Sequence, residues 1–190
     1  MLERVTYPPY DEEKLTELIL YVAGRTSEDP ATGATKLNKY LYFAEFAAMR
    51  KLGRPITSAE YQKLERGPAP RRLIPIRGKL LASGEARLDE RADAFGYVRH
   101  CLVPLRPPRT ELFTSEELEI VDSVIDRLRT SSAAEMSELS HRDAAWQLVH
   151  EGDTIPYELA FVVAPSEAPP TEAVRAEGRR IAVEYAERLA

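Results

Sequence analysis

Apolar residues recur at helical spacing along most of the chain, separated by short punctuated segments. Leu15, Leu18, Ile19 and Val22 share one face, and Asp11 stands where an N-cap belongs. This predicts a first helix over about 11–25, after an arm at 1–10 that ends Tyr7-Pro8-Pro9-Tyr10. Between about 35 and 52 the pattern changes. Leu37, Tyr40, Leu41, Phe43, Ala44, Phe46, Ala47 and Ala48 cover most of the circumference. A helix apolar nearly all round lies in the middle of a core. Thr35 is its expected cap, and Gly53 its expected left-handed terminator. One polar strip is expected around Asn38 and Glu45, with Tyr42 and Met49 between them.

Proline and glycine punctuate residues 54–70, which read as irregular around a short extended stretch. A third helix is expected over about 70–82 with Leu73, Ile76 and Leu80 inward. Pro75 is compatible with it only in the first turn. Glu85–Glu90 and Tyr97–Pro104 suggest two strands joined by a polar loop with Gly96. Thr114-Ser115-Glu116-Glu117 is a capping box opening a helix over about 115–130, striped by Leu118, Val121, Ile125 and Leu128. Ser132 with Glu135, and Ser140 with Asp143, predict two further short helices, the latter ending near Gly152. Ile155–Val163 is a short helix or a strand. A proline-rich linker and a terminal helix over about 171–189 close the chain. The expected fold is mainly α with a small β-hairpin (α+β), a compact helical domain around a buried central helix. The expected division is an arm at 1–10, a domain at 11–165, and a linker and C-terminal helix packing on it at 166–190.

With 190 residues, 44% apolar and 30% charged, the chain suits one globular domain that needs no covalent staple. Its lone cysteine, Cys101, excludes an internal disulfide and a cysteine-only metal site, which fits a reducing cytoplasm. The longest apolar run near the amino terminus, Leu18 to Ala23, is too short for a signal segment or a membrane span.

The net charge of −5 is uneven along the chain. Residues 1–33 carry 3 bases and 7 acids, residues 34–110 carry 16 and 7, and residues 111–190 carry 7 and 17. Two readings follow. The basic middle packs against the acidic ends and is partly neutralised. Alternatively, Arg66, Arg71, Arg72, Arg77 and Lys79 form a surface for an acidic partner or a phosphate backbone.

Candidate chemistry is sparse. His100, His141 and His150 have no metal-ligand spacing, and no phosphate-loop, dinucleotide or nucleophile-elbow motif is present. Ser140-His141-Arg142-Asp143 holds triad letters that cannot converge as neighbours on one helix start, so Ser140 reads as a cap. Cys101 reads as a buried strand residue. No catalytic, cofactor or metal residue is assigned. Trp146 is either core packing or an interface anchor, and Tyr42 and Met49 divide the same way. A helix with Arg72 and Lys79 followed by a hairpin has the outline of a winged-helix unit. Pro75, Gly78 and the acidic last third argue against nucleic-acid binding.

Lys36-Leu37-Asn38-Lys39-Tyr40-Leu41-Tyr42-Phe43-Ala44 and the turn Glu65-Arg66-Gly67-Pro68-Ala69-Pro70 resemble the Panacea, or SocA-like, antitoxin domain of bacteria and phages. That family carries a Lys-Leu-x-Lys-Leu-Leu-Tyr-Phe-like helix followed by a Gly-Pro-Val-like turn. Tyr40 replaces the usual leucine, and Ala69 the commoner valine. Leu112-Phe113-Thr114, Leu139-Ser140-His141 leading to Trp146, and Ile155-Pro156-Tyr157-Glu158 extend the similarity over about 11–165. The resemblance implies a mainly helical, non-catalytic antitoxin that neutralises a cognate toxin by direct binding. A family alternative is an adaptor that hands the toxin to a cytoplasmic protease. On this reading Leu37, Leu41, Phe43, Gly67, Pro68 and Trp146 determine the fold. The guessed partner contacts are Tyr42, Met49, Arg66, Arg71, Arg72 and Lys79.

Overall fold

A computed structural model describes residues 7–29, 31–92, 96 and 98–162. The expected linker and C-terminal helix lie outside the described residues, as do the first six residues of the arm.

Helix α1 spans Glu12–Arg25, and the Asp11 carboxylate accepts from Lys14 N at its start. Helix α2 spans Ala34–Leu52 and is the axis of the fold. It touches α1, two later helices, both small sheets and the last turn of the described chain. Leu41, Ala44, Phe46, Ala48 and Met49 have no exposure at all. Gly53 ends the helix at φ 70°, in the left-handed region. One expectation about α2 fails. It begins one residue before Thr35, capped by Gly33, whose carbonyl accepts from Leu37 N at 3.0 Å. A Cβ at Gly33 would sit 3.4 Å from Arg99 Cβ, an ordinary contact, and the cap is made by the Gly33 backbone with no side-chain hydrogen bond. In the polar strip, Glu45, Tyr42 and Met49 are fully enclosed by the elements packed on α2, and Asn38 is half-buried.

Strands β1 (Tyr61–Gln62) and β2 (Ala69–Pro70) form a small antiparallel ladder around the glycine–proline turn. Helix α3, Leu73–Ala82, turns Leu73, Ile76 and Leu80 inward, with Pro75 in its first turn. Strands β3 (Ala86–Ala92) and β4 (Val98–Pro104) pair antiparallel with Leu88 opposite Leu102 and Glu90 opposite His100. Helix α4, Ser115–Leu128, opens on the reciprocal Thr114–Glu117 capping box and buries Ile120, Val121, Val124, Ile125 and Leu128. Helix α5, Ala133–His141, opens on the Ser132–Glu135 box. One turn, α6 at Ala144–Gln147, follows, then a 3₁₀ turn at Tyr157–Phe161.

Ser140 is not a cap. The Ser132 box drives α5 through His141, so Ser140 lies inside it, buried, donating to Ser137 O at 2.7 Å. Asp143 caps α6 instead, accepting from Ala145 N, and the helix expected to reach Gly152 stops at Gln147. The order is that of a mixed α+β protein, six helices with two two-stranded antiparallel sheets among the described residues. A continuous apolar cluster runs from Leu15 to Ala160.

Candidate functional site

The segment that carries the family resemblance builds an interior rather than a surface. Lys39 is 1% exposed. Its ammonium donates to Arg66 O at 2.6 Å and to Pro68 O at 3.4 Å. Burial lowers its pKa to about 8. Gly67 lies between these two carbonyls at φ 94°. A Cβ there would be 2.9 Å from Lys39 Cε, and closer still to Lys39 Nζ and Ser140 Oγ. Both backbone angle and space therefore demand glycine. The helix lysine, the turn glycine and the α5 serine form one interlocked unit.

One turn earlier, Lys36 is also buried, donating to Asp29 at 2.6 Å and to Arg129 O at 3.2 Å. Tyr42 is enclosed, and its hydroxyl donates to Asp143, which also accepts from Arg50. Glu45 is fully buried and accepts from Ile56 N and Thr57 N. Burial raises its carboxyl to about 7, although those hydrogen bonds work in the opposite direction. The Trp146 ring stacks on His141 at 4.2 Å, and Lys63 Nζ lies 3.9 Å from its centroid. The Cys101 thiol donates to Thr32 O, and burial raises its pKa. Among the described residues no group of three or more His, Cys, Asp or Glu could hold a metal ion. No described helix is long and apolar enough to cross a membrane.

The sequence candidates separate by burial. Leu37, Leu41, Phe43, Gly67 and Pro68 are buried, and Trp146 is half-buried against the core. Tyr42 and Met49 are covered by this protein's own elements, so neither side chain presents itself to a partner. Arg66, Arg71, Arg72 and Lys79 are exposed. They do not form one free patch. Arg71 donates to Gln62, Thr154 and Gly152 O, and Lys79 pairs with Glu12.

The charge asymmetry resolves largely inward. Arg106 and Arg109 converge on buried Glu17, Arg54 pairs with Glu117, and Arg50 pairs with Asp143. Six cations of the basic middle, Lys36 and Lys79 included, are thus matched by acids of the two outer segments. The neutralising reading describes these residues.

Two concavities lie among those of the described surface. A cleft of about 440 Å³ lies between the start of α2, α3 and the β3–β4 hairpin, lined by Lys36, Arg66, Arg77, Leu88, Val98, Arg99 and His100 among others. A groove of about 690 Å³ runs past Phe43, Arg50, Leu139, Arg142 and Phe161. Sequence reasoning placed Arg66 and Arg77 in the basic segment, but missed their grouping with Arg99 and His100. That grouping depends on how the hairpin folds back on α2. The buried lysines had a readable signal: Lys36 and Lys39 stand one turn apart in a helix otherwise apolar nearly all round.

A family model for the antitoxin SocA-like, Panacea domain matches residues 37–147. The matched region runs from α2 to the end of α6 and includes the Lys39–Gly67–Ser140 unit. No curated protein and no solved structure matches the chain.

Proposed function

Since the chain belongs to the SocA-like Panacea antitoxin domain family, we propose that it neutralises a cognate toxin by direct protein–protein binding, with no catalytic step of its own. The observation that carries this is the family match over more than half of the chain, continuous from the central helix to Trp146. The interior supports it. The titratable groups with the largest functional potential, Lys39 and Glu45, are spent on carbonyls and amides of the fold. Affinity then comes from a few desolvated anchors within a polar rim.

The test is co-expression with the protein encoded beside it. The expected result is growth inhibition by that neighbour alone, rescue by this chain, and a complex that survives size-exclusion chromatography. A harmless neighbour, or inhibition that persists with this chain present, overturns the proposal. Toxin half-life separates masking from delivery to a protease: masking leaves it unchanged, and an adaptor shortens it.

A further inference from the structure

The toxin-facing surface is the question the family leaves open, and the cleft beside α2 carries the strongest answer. Its walls come from the turn after β1, the outward side of α3, the hairpin, and the first turn of α2. No aspartate or glutamate lines it among the described residues. Lys36 is occupied by Asp29, and His100 faces Glu90 across the hairpin at 3.8 Å. Arg66 and Arg77 point their charge at no acid that the structure places within ion-pair distance among the described residues. This sets them apart from Arg71, Lys79, Arg106 and Arg109. Within this cleft, two arginines of the basic middle thus stand without an ion-pair partner among the described residues.

The cleft also has apolar shoulders. Leu88 is 38% exposed and Val98 44% exposed, and both line it. Cations beside accessible aliphatic side chains have the composition of a protein interface, where apolar contacts anchor and charges select and steer. A site built for a free phosphate group has no use for those shoulders.

We infer that this cleft docks an acidic segment of the toxin, its carboxylates paired with Arg66 and Arg77 and its apolar side chains seated on Leu88 and Val98. This rests on the antitoxin reading and specifies its contact face. Docking there sets opposite charges together at the mouth of a concave surface, so association is fast at low salt and slows as salt screens it.

The experiment compares the full-length wild type with Arg66→Glu/Arg77→Glu and with Lys51→Glu/Arg129→Glu, which reverses the same charge elsewhere. Each is titrated against the toxin encoded beside the gene and assayed for rescue. Expected are at least about tenfold weaker binding for the cleft variant, lost salt dependence of its on-rate, and wild-type behaviour for the other pair. Circular dichroism and thermal melting check folding. Arg66→Gln/Arg77→Gln, which removes the charge without adding repulsion, decides the matter if the reversed variant misfolds. A cleft variant that binds and rescues like the wild type overturns the inference and leaves the antitoxin reading intact. If that variant also loses pyrophosphate binding, the cleft is a small-anion site instead. Equal losses in both charge-reversed pairs overturn the inference as well. Failure of the wild type to bind the toxin sinks the antitoxin reading itself, and is thereby distinguished from the other outcomes.

Discussion

At Gly67 a single methyl group decides between two packings. Gly67→Ala would have to strain a backbone at φ 94° and displace the buried ammonium of Lys39. Those two penalties together predict a loss of about 2–4 kcal/mol, measured by urea denaturation. Wild-type stability in that variant would mean the turn is not held as described. Glu45 makes a prediction in pH. Its folded pKa of about 7 is above the usual carboxylate value, so between about pH 4.5 and 7 the native state binds more protons than the unfolded chain. Stability from this group is full below about pH 4.5 and declines as pH rises through 7, by about 3 kcal/mol in all. The difference between wild type and Glu45→Gln across that window isolates the effect, and a flat difference contradicts it.

At the scale of elements, two kinds of fastening hold the helices. The capping boxes at Thr114 and Ser132 act locally, and Thr114→Ala or Ser132→Ala should each cost about 1 kcal/mol in thermal melts. Glu17 acts over distance, joining α1 to the segment after β4 by accepting from both Arg106 and Arg109. Burial raises its carboxyl, but the arginine hydrogen bonds prevail and hold it at about 2. Its contribution is complete above about pH 4.5 and lost as pH falls through 2. Glu17→Gln leaves two guanidinium groups facing a neutral amide and predicts a loss of about 3–5 kcal/mol at neutral pH. The boxes were legible in sequence because their chemistry lies within four residues. Glu17 was not, since its partners lie some ninety positions away and only the tertiary path of the chain brings them together. The Ser140 misassignment has the same origin: its spacing to Asp143 looks like a cap, but an earlier and stronger cap at Ser132 had already claimed it for α5.

For the molecule as a whole, the apolar cluster from Leu15 to Ala160 predicts one cooperative unfolding event. Trp146 sits at the edge of that cluster, far in sequence from α1 and α2. Its fluorescence and the far-ultraviolet signal of the helices should therefore lose their native values at the same denaturant concentration. An earlier fluorescence change would place α5 and α6 in a separate unit. The buried central helix was readable from its all-round apolar pattern, and so was the uneven charge. What that charge does was not readable, because pairing between the basic middle and the acidic ends depends on which faces meet.

Lys39 has a further consequence for how this protein can be followed in a cell or a tube. An amine with a lowered pKa carries more of its free base at neutral pH than an ordinary lysine side chain does. Enclosure denies it to any acylating reagent while the fold is closed. Lys51 and Lys79, on the outside, acquire label at once. Label arriving on Lys39 then counts openings of the core one molecule at a time, a built-in clock for how long each copy stays shut.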